Sequence, residues 1–188
     1  MAKFYDAVTD SIAAFIAQQH MFFVASAPLS ADGHINLSPK GLDSFRVLGP
    51  NKVAYMDVIS SGNETSAHML ENGRITIMFC SFEGPALTVR LFGTGYTVLP
   101  GTPEWDELSP LFTILPSTRQ IIVADIHKAQ TSCGFGVPLY EYAGERDAHF
   151  KWVESQGPDG LIKYRNSHNF VSQDGLPTPL GLREGQAD

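Results

Sequence analysis

Cysteine is scarce: Cys80 and Cys133 are the only two in 188 residues, and no CxxC pair occurs. That excludes a disulfide framework and a cysteine-ligated zinc site as organising features. Long apolar runs are missing as well. Met21–Ala25 and Gln120–Ala124 fall far short of the roughly 18 residues that cross a bilayer, so no membrane partner is expected. Basic residues are outnumbered, 13 Lys and Arg against 20 Asp and Glu, for a net charge of −7. Nucleic-acid backbones are bound by cations that release phosphate counterions, so this balance argues against such a partner. The first residues carry one Lys and then Asp6 and Asp10 among apolar positions. A secretory signal has a basic start, a continuous apolar centre and a small-residue cleavage site, so a cytoplasmic protein is expected.

Several catalytic signatures are also absent. The six histidines form no HExxH pair, which removes the usual motif-based case for a metal site. No GxSxG elbow anchors a serine nucleophile. Gly93-Thr94-Gly95 lacks the third glycine of a dinucleotide fingerprint and lies in a strand pattern instead of a strand-to-helix turn. Cys133 has no cation nearer in sequence than Lys128, so nothing marks it as an activated thiolate.

What is present is enough apolar sequence, 43% of the chain, for one sizeable core. Val8, Ile12, Phe15, Ile16 and Gln19 recur at helical spacing and predict an N-terminal amphipathic helix. Short runs follow at 21–27, 34–38, 44–48 and 52–57, divided by Pro28, Asp32-Gly33, Lys40-Gly41 and Gly49-Pro50-Asn51, which predicts a meander of strands. Ser61 to Gly73 has capping-box spacing and reads as a short helix. Strand patterns resume at 75–80, 86–99 and 119–129, with a bulge expected at Gly93–Gly95. Thr102-Pro103-Glu104 opens another helix, and 145–155 is helix-like. The expected architecture is mainly β with flanking helices: an antiparallel barrel, in a single domain over 1–170, followed by an extended C-terminal tail over 171–188.

Two polar turns stand out. Asn36-Leu37-Ser38-Pro39-Lys40-Gly41 and Ser61-Gly62-Asn63-Glu64-Thr65-Ser66 supply an ammonium, hydroxyls, an amide and flexible backbone. Such groups hold phosphate well when a helix start is nearby. The same residues equally make an exposed turn and a helix cap, and local sequence leaves both readings open. Arg90 projects from an otherwise apolar strand and suits an anion or a solvent-facing position alike. Thr131 to Pro138 offers a hydroxyl, a thiol and open backbone that could line a flat ring, or simply form a strand exit.

Taken together, Phe22–Ala27, Asn36–Gly41, Tyr55-Met56-Asp57 running into Ser61–Thr65, Leu91-Phe92-Gly93 and Ser132–Pro138 resemble the pyridoxamine 5′-phosphate oxidase-related, FMN-binding split-barrel family. The resemblance covers most of residues 20–140. It implies a six-stranded split barrel, a homodimer, and FMN at the subunit interface as cofactor. Carried over position by position, it implies that Ser38, Lys40 and Gly41 approach the phosphate or flavin edge and that Asn63 and Thr65 bind phosphate. Ser132, Cys133 and Gly134 would lie near the flavin ring, from the other subunit. The activity implied is FMN-dependent oxidation or reduction of a small organic substrate with NAD(P)H or oxygen as redox partner. The alternative is a non-catalytic flavin carrier or sensor. The Arg-x-Val-Leu-Leu-Lys motif and Arg-Leu-x-Pro ending of the true oxidases are absent, which argues against pyridoxamine phosphate as substrate. No catalytic side chain is assigned.

Overall fold

The computed structural model describes residues 2–185. A single antiparallel sheet organises them. In chain order the elements are β1 (Lys3–Tyr5), α1 (Asp10–Ile16), β2 (Phe22–Ser26), β3 (Asn36–Lys40), β4 (Phe45–Gly49) and β5 (Lys52–Val58). Then come α2 (Glu64–Glu71), β6 (Arg74–Cys80), β7 (Thr88–Val98), α3 (Pro103–Leu108), β8 (Thr118–Ser132), α4 (Ala148–His168) and α5 (Pro179–Glu184). The strands run in the order β3-β2-β6-β7-β8-β5-β4, with β1 added against the far end of β8. The two end strands do not pair with each other, so the barrel is split.

The sheet has eight strands, not the expected six. The addition that sequence pattern could not reveal is β1, whose three residues are too few to display an alternation. It exists because β8 is fifteen residues long and outruns β5. Lys3, Phe4 and Tyr5 pair with Thr131, Gln130 and Ala129 beyond that point.

Strand β8 is the spine. It pairs with β7 along one side and with β5 and then β1 along the other. Over Ile121–Ala124 both of its faces are buried, which explains a continuous apolar run where a half-wet strand would alternate. Inward, Ile122 and Ala124 join Val24, Val53, Tyr55, Ile77, Phe79 and Leu91 in the main core. Outward, Ile121 and Val123 pack with Ala54, Met56, Val98 and Phe112 in a second cluster, against which Trp105 and Leu108 of α3 rest. The α1 helix is capped by Thr9 and buries Ile12 and Ile16 on the main core, as its spacing predicts.

The expected bulge is real: the β7–β8 register shifts between Phe92 and Gly93. A Cβ at Gly95 would stand 2.5 Å from the Met69 sulfur and 3.2 Å from the Val123 carbonyl oxygen, so only glycine lets α2 sit this close to the sheet.

Two helical expectations change. The Ser61–Glu64 capping box does not form; Asn63 is the N-cap of α2 and makes no side-chain cap, because its amide is drawn inward to other partners. The helix-like stretch at 145–155 extends to His168, interrupted at Gly157, where φ is 62° ahead of Pro158.

Over 171–185 the chain first makes a small turn, bridged between Val171 and Pro177. Thr178 then caps α5, whose Leu180 is fully buried. Deleting that side chain to give Leu180→Ala should lower unfolding free energy by about 2–5 kcal/mol, read as a shifted urea midpoint. A midpoint equal to that of the parent protein would mean that this segment does not dock.

Candidate functional site

The inner side of the sheet's open end gathers polar groups around one carboxylate. Asp57, near the end of β5, is buried at 3% exposure. Lys40 Nζ donates to its Oδ1 at 2.7 Å. Arg119 Nε and Gln120 Nε2, from the start of β8, each donate to Oδ2 at 2.8 Å. Lys40 reaches Asp57 because Asn36, Ser38 and Lys40 pair with Ser26, Val24 and Phe22 of β2 and share their inward face. Pro39 is tolerated between them because β3 is an edge strand.

The second polar turn is tied to the same carboxylate. Gln120 Nε2 also donates to Asn63 Oδ1 at 2.8 Å, and Arg119 Nη1 donates to the Gly62 carbonyl at 2.8 Å. Asn63 Nδ2 in turn donates to the Asn169 carbonyl at 3.0 Å. A second chain of bonds runs from the Ser38 hydroxyl to Asn36 Oδ1 (2.9 Å), then from Asn36 Nδ2 to Thr65 Oγ1 (2.9 Å). Five of the eight residues selected from sequence, Ser38, Lys40, Gly41, Asn63 and Thr65, therefore meet in one place.

Electrostatics decide what this place favours. Burial opposes the charged form of Asp57, but Arg119 and then Lys40 overcome it and hold the carboxyl far below the usual carboxylate range. One carboxylate between two cations leaves one positive charge beside a cleft of about 290 Å³ lined by Ser38, Lys40, Gly41, Ser44, Asp57 and Ser60. Lys40 Nζ lies 5.8 Å from the centroid of the Tyr55 ring. Burial, reinforced by the Asp57 charge, pushes the Tyr55 phenol well above the ordinary value, so it remains a neutral hydroxyl. Among the described residues, four buried side-chain atoms make no hydrogen bond of ordinary length: Tyr55 Oη, His68 Nε2, Gln120 Oε1 and Asn169 Oδ1; the Tyr55 hydroxyl has Thr65 as its near neighbour.

The side chains do not all face the cleft as sequence suggested. Lys40 is engaged by Asp57 and keeps only 19% side-chain exposure. Asn63 and Thr65 are buried and bonded inward. Ser132, Cys133 and Gly134 are elsewhere. Ser132 is level with Thr88 and Cys80 on the outward face, bonded to Thr88, with Arg90 Nη1 at 3.4 Å. Gly134 adopts φ 62° with its Cα against Leu87, a fit that demands glycine. Within one protomer Ser132 ends β8, at the other end of that strand from Arg119 and Gln120.

Arg119, Gln120 and Asn169 were not singled out from sequence, and Asp57 was noted only within a motif. Asp57 did carry a signal, a lone carboxylate in an otherwise apolar strand, and Arg119-Gln120 opens the most apolar run in the chain. Asn169 carried none; its partners are more than 100 residues away.

Removing the carboxylate isolates two cations, one of them fully buried. Asp57→Asn should cost about 3–5 kcal/mol of stability at neutral pH. The folded carboxyl is depressed, so its contribution is complete above the unfolded value of about 4 and declines as pH falls from there toward the folded value. Urea unfolding of both proteins from pH 7 down to pH 3 should show a steep acid loss in the parent and a shallower one in Asp57→Asn. Parallel curves would remove Asp57 as the organising charge.

Comparison with known proteins identifies the family. The pyridoxamine 5′-phosphate oxidase family profile matches residues 8–133. A pyridoxamine 5′-phosphate oxidase family protein from Aspergillus flavus, ustO, is 45% identical over 205 aligned positions that span all of this chain and 81% of the relative. Among solved structures, a variant of HupZ from Group A Streptococcus superposes with a TM-score of 0.54 at 20% identity, over 66% of this chain and 99% of that one. A Lactobacillus delbrueckii protein assigned to the pyridoxamine 5′-phosphate oxidases gives 0.50 at 15% identity, over 66% and 94%. At these identities the two structures speak to the fold alone. With the profile covering residues 8–133 and a 45% identical relative aligned along the whole of this chain, the chain belongs to the pyridoxamine 5′-phosphate oxidase family.

Proposed function

We propose that this protein is a homodimeric FMN-binding flavoprotein that acts as an oxidoreductase on a small organic substrate, with NAD(P)H or oxygen as redox partner. The observation that carries the reading is the unbalanced positive charge of the Lys40–Asp57–Arg119 cluster beside Ser38, Gly41 and Ser60. An anionic phosphate end suits that cleft: it meets Lys40, the hydroxyls of Ser38, Ser44 and Ser60, and the Gly41 backbone. Lys40, Ser38 and the Gly41 backbone would hold the phosphate end; Asp57 and Arg119 would keep Lys40 in place.

FMN, when bound, supplies hydride or electron transfer, so the protein's part is binding, orientation and exclusion of competing reactions. The second copy enters for a geometric reason. Ser132 points to the outward face and lies at the end of β8 remote from Arg119 and Gln120, so Ser132, Cys133 and Gly134 would reach a cofactor in the cleft from a partner. That outward face is apolar over several strands. Leu37 and Phe4 are 66% and 61% exposed. Pro39, Phe23, Met78, Arg90 and Gln130 form one cross-strand row between β3 and β8. Contiguous exposed apolar surface of this kind marks an interface.

Three measurements test the proposal. Titrated FMN should lose its free fluorescence on the parent protein. Lys40→Ala, which leaves Asp57 and Arg119 neutral as a pair, should weaken binding by at least about tenfold, or 1.4 kcal/mol, whereas Lys40→Arg should largely retain it. Light scattering should give a mass of two chains. Anaerobic mixing with NADH or NADPH should bleach the bound flavin; a flavin that no donor reduces would leave a carrier or sensor. Unquenched FMN fluorescence would end the flavin reading outright.

A further inference from the structure

A second cavity, of about 610 Å³, lies between the start of β2, the turn at 82–85 and the loop at 140–142. Its size is that of a small-molecule pocket, and its walls are aromatic. Tyr142 stacks on His20 with ring centroids 3.6 Å apart and planes 6° from parallel. Tyr140 lies 5.7 Å from Phe82, tilted by 33°.

The loop that carries these tyrosines is fastened across the cavity. Tyr140 N–H donates to the Phe82 carbonyl at 2.9 Å, and Tyr142 N–H donates to Glu83 Oε1 at 2.7 Å. The Tyr142 hydroxyl donates to Glu145 Oε1 at 2.9 Å. The pocket's charge is of one sign: Glu83 and Glu141 line it, and no Lys or Arg does. Glu83 spends one carboxylate oxygen on the loop, while Glu141 is exposed at the rim.

From these walls and this charge we infer that the cavity binds a protonated aromatic amine, with its ring between the tyrosine-bearing loop and the sheet and its ammonium at Glu83 and Glu141. Aromatic faces attract cations and stack on flat rings. Two carboxylates repel a phosphorylated or carboxylated ligand of the same shape. The chemistry is thus the reverse of the cationic cleft at Lys40. The floor residue Cys80 is level with Thr88 and Ser132 across β6, β7 and β8, which places the occupant beside the group expected at the flavin ring. Its role as the redox substrate rests on the flavin proposal; the pocket's ligand class does not.

Calorimetric titration of FMN-saturated protein with tryptamine and with indole-3-propionate, its anionic counterpart, tests the inference. Tryptamine should bind at least about tenfold more tightly than the acid. Glu141→Gln should shrink that preference severalfold. Tyr142→Ala should weaken tryptamine binding by about tenfold and leave FMN affinity within about twofold. Equal binding of the two indoles, no tryptamine binding, or an unchanged affinity in Tyr142→Ala would overturn the inference. So would tryptamine binding that vanishes as FMN is added, since the flavin would then own the cavity. If FMN itself fails to bind while tryptamine still prefers the protein as purified, the cofactor reading falls and the pocket stands.

Discussion

The buried carboxylate of Asp57 is the constraint on which the open end of the barrel depends. Two charges from distant parts of the chain, Lys40 on edge strand β3 and Arg119 at the start of β8, converge on it, and neither position is satisfied without the other. Burying three charged groups is costly, and a pair or triad of this kind is weak evidence for stability as such. Its effect here is on geometry. It fixes the edge strand against β5, and through Arg119 and Gln120 it fixes the turn that begins α2. The uncompensated charge at the cleft follows from the same arrangement, so fold and binding chemistry share one set of bonds.

The rest of the architecture supplies rigid walls for that end. β8 is buried on both faces where β5 and β7 flank it, so the strand that presents Arg119 and Gln120 is held by two cores. α2 is seated closely against β7 at Gly95, which positions Asn63 and Thr65 at the helix start. Residues 169–178 close the far side. Asn169 accepts from Asn63 through its carbonyl and donates to the Ser60 carbonyl, while Thr178 donates to Asn169 and Phe170. The C-terminal stretch therefore belongs physically to the site, although it lies outside the region matched by the family profile.

Much of this was legible in the sequence because local chemistry and tertiary demand coincide. Alternation located β7, the glycine pair at 93 and 95 located the bulge, and Thr102 located the start of α3. The two polar segments stood out by their small polar residues, although the first forms the edge strand β3 and not the turn its Ser-Pro-Lys-Gly suggested. Side-chain direction was not legible. Whether Lys40 faces an anion or Asp57 depends on which strand lies opposite β3, and whether Asn63 caps its helix depends on Gln120 and Asn169 arriving from elsewhere. The capping box failed for that reason: two tertiary partners outcompeted one local bond. β1 was invisible because a three-residue strand exists only where a longer neighbour overhangs.

The state of the cleft's ionisable groups limits what chemistry it can perform by itself. Asp57 is held deprotonated far below neutral pH, and Tyr55 is held protonated far above it. Neither exchanges a proton near pH 7, where a general acid or base is most effective. His68, the nearest imidazole in the network, is fully buried behind Ser26, with burial lowering its affinity for a proton. The cleft is therefore equipped to hold a charge and not to pass protons. Under the proposed flavin reading the bound molecule would bring the reactivity with it, and the part of Lys40, Arg119 and Asp57 would be to hold its negatively charged end in place without exchanging protons with it.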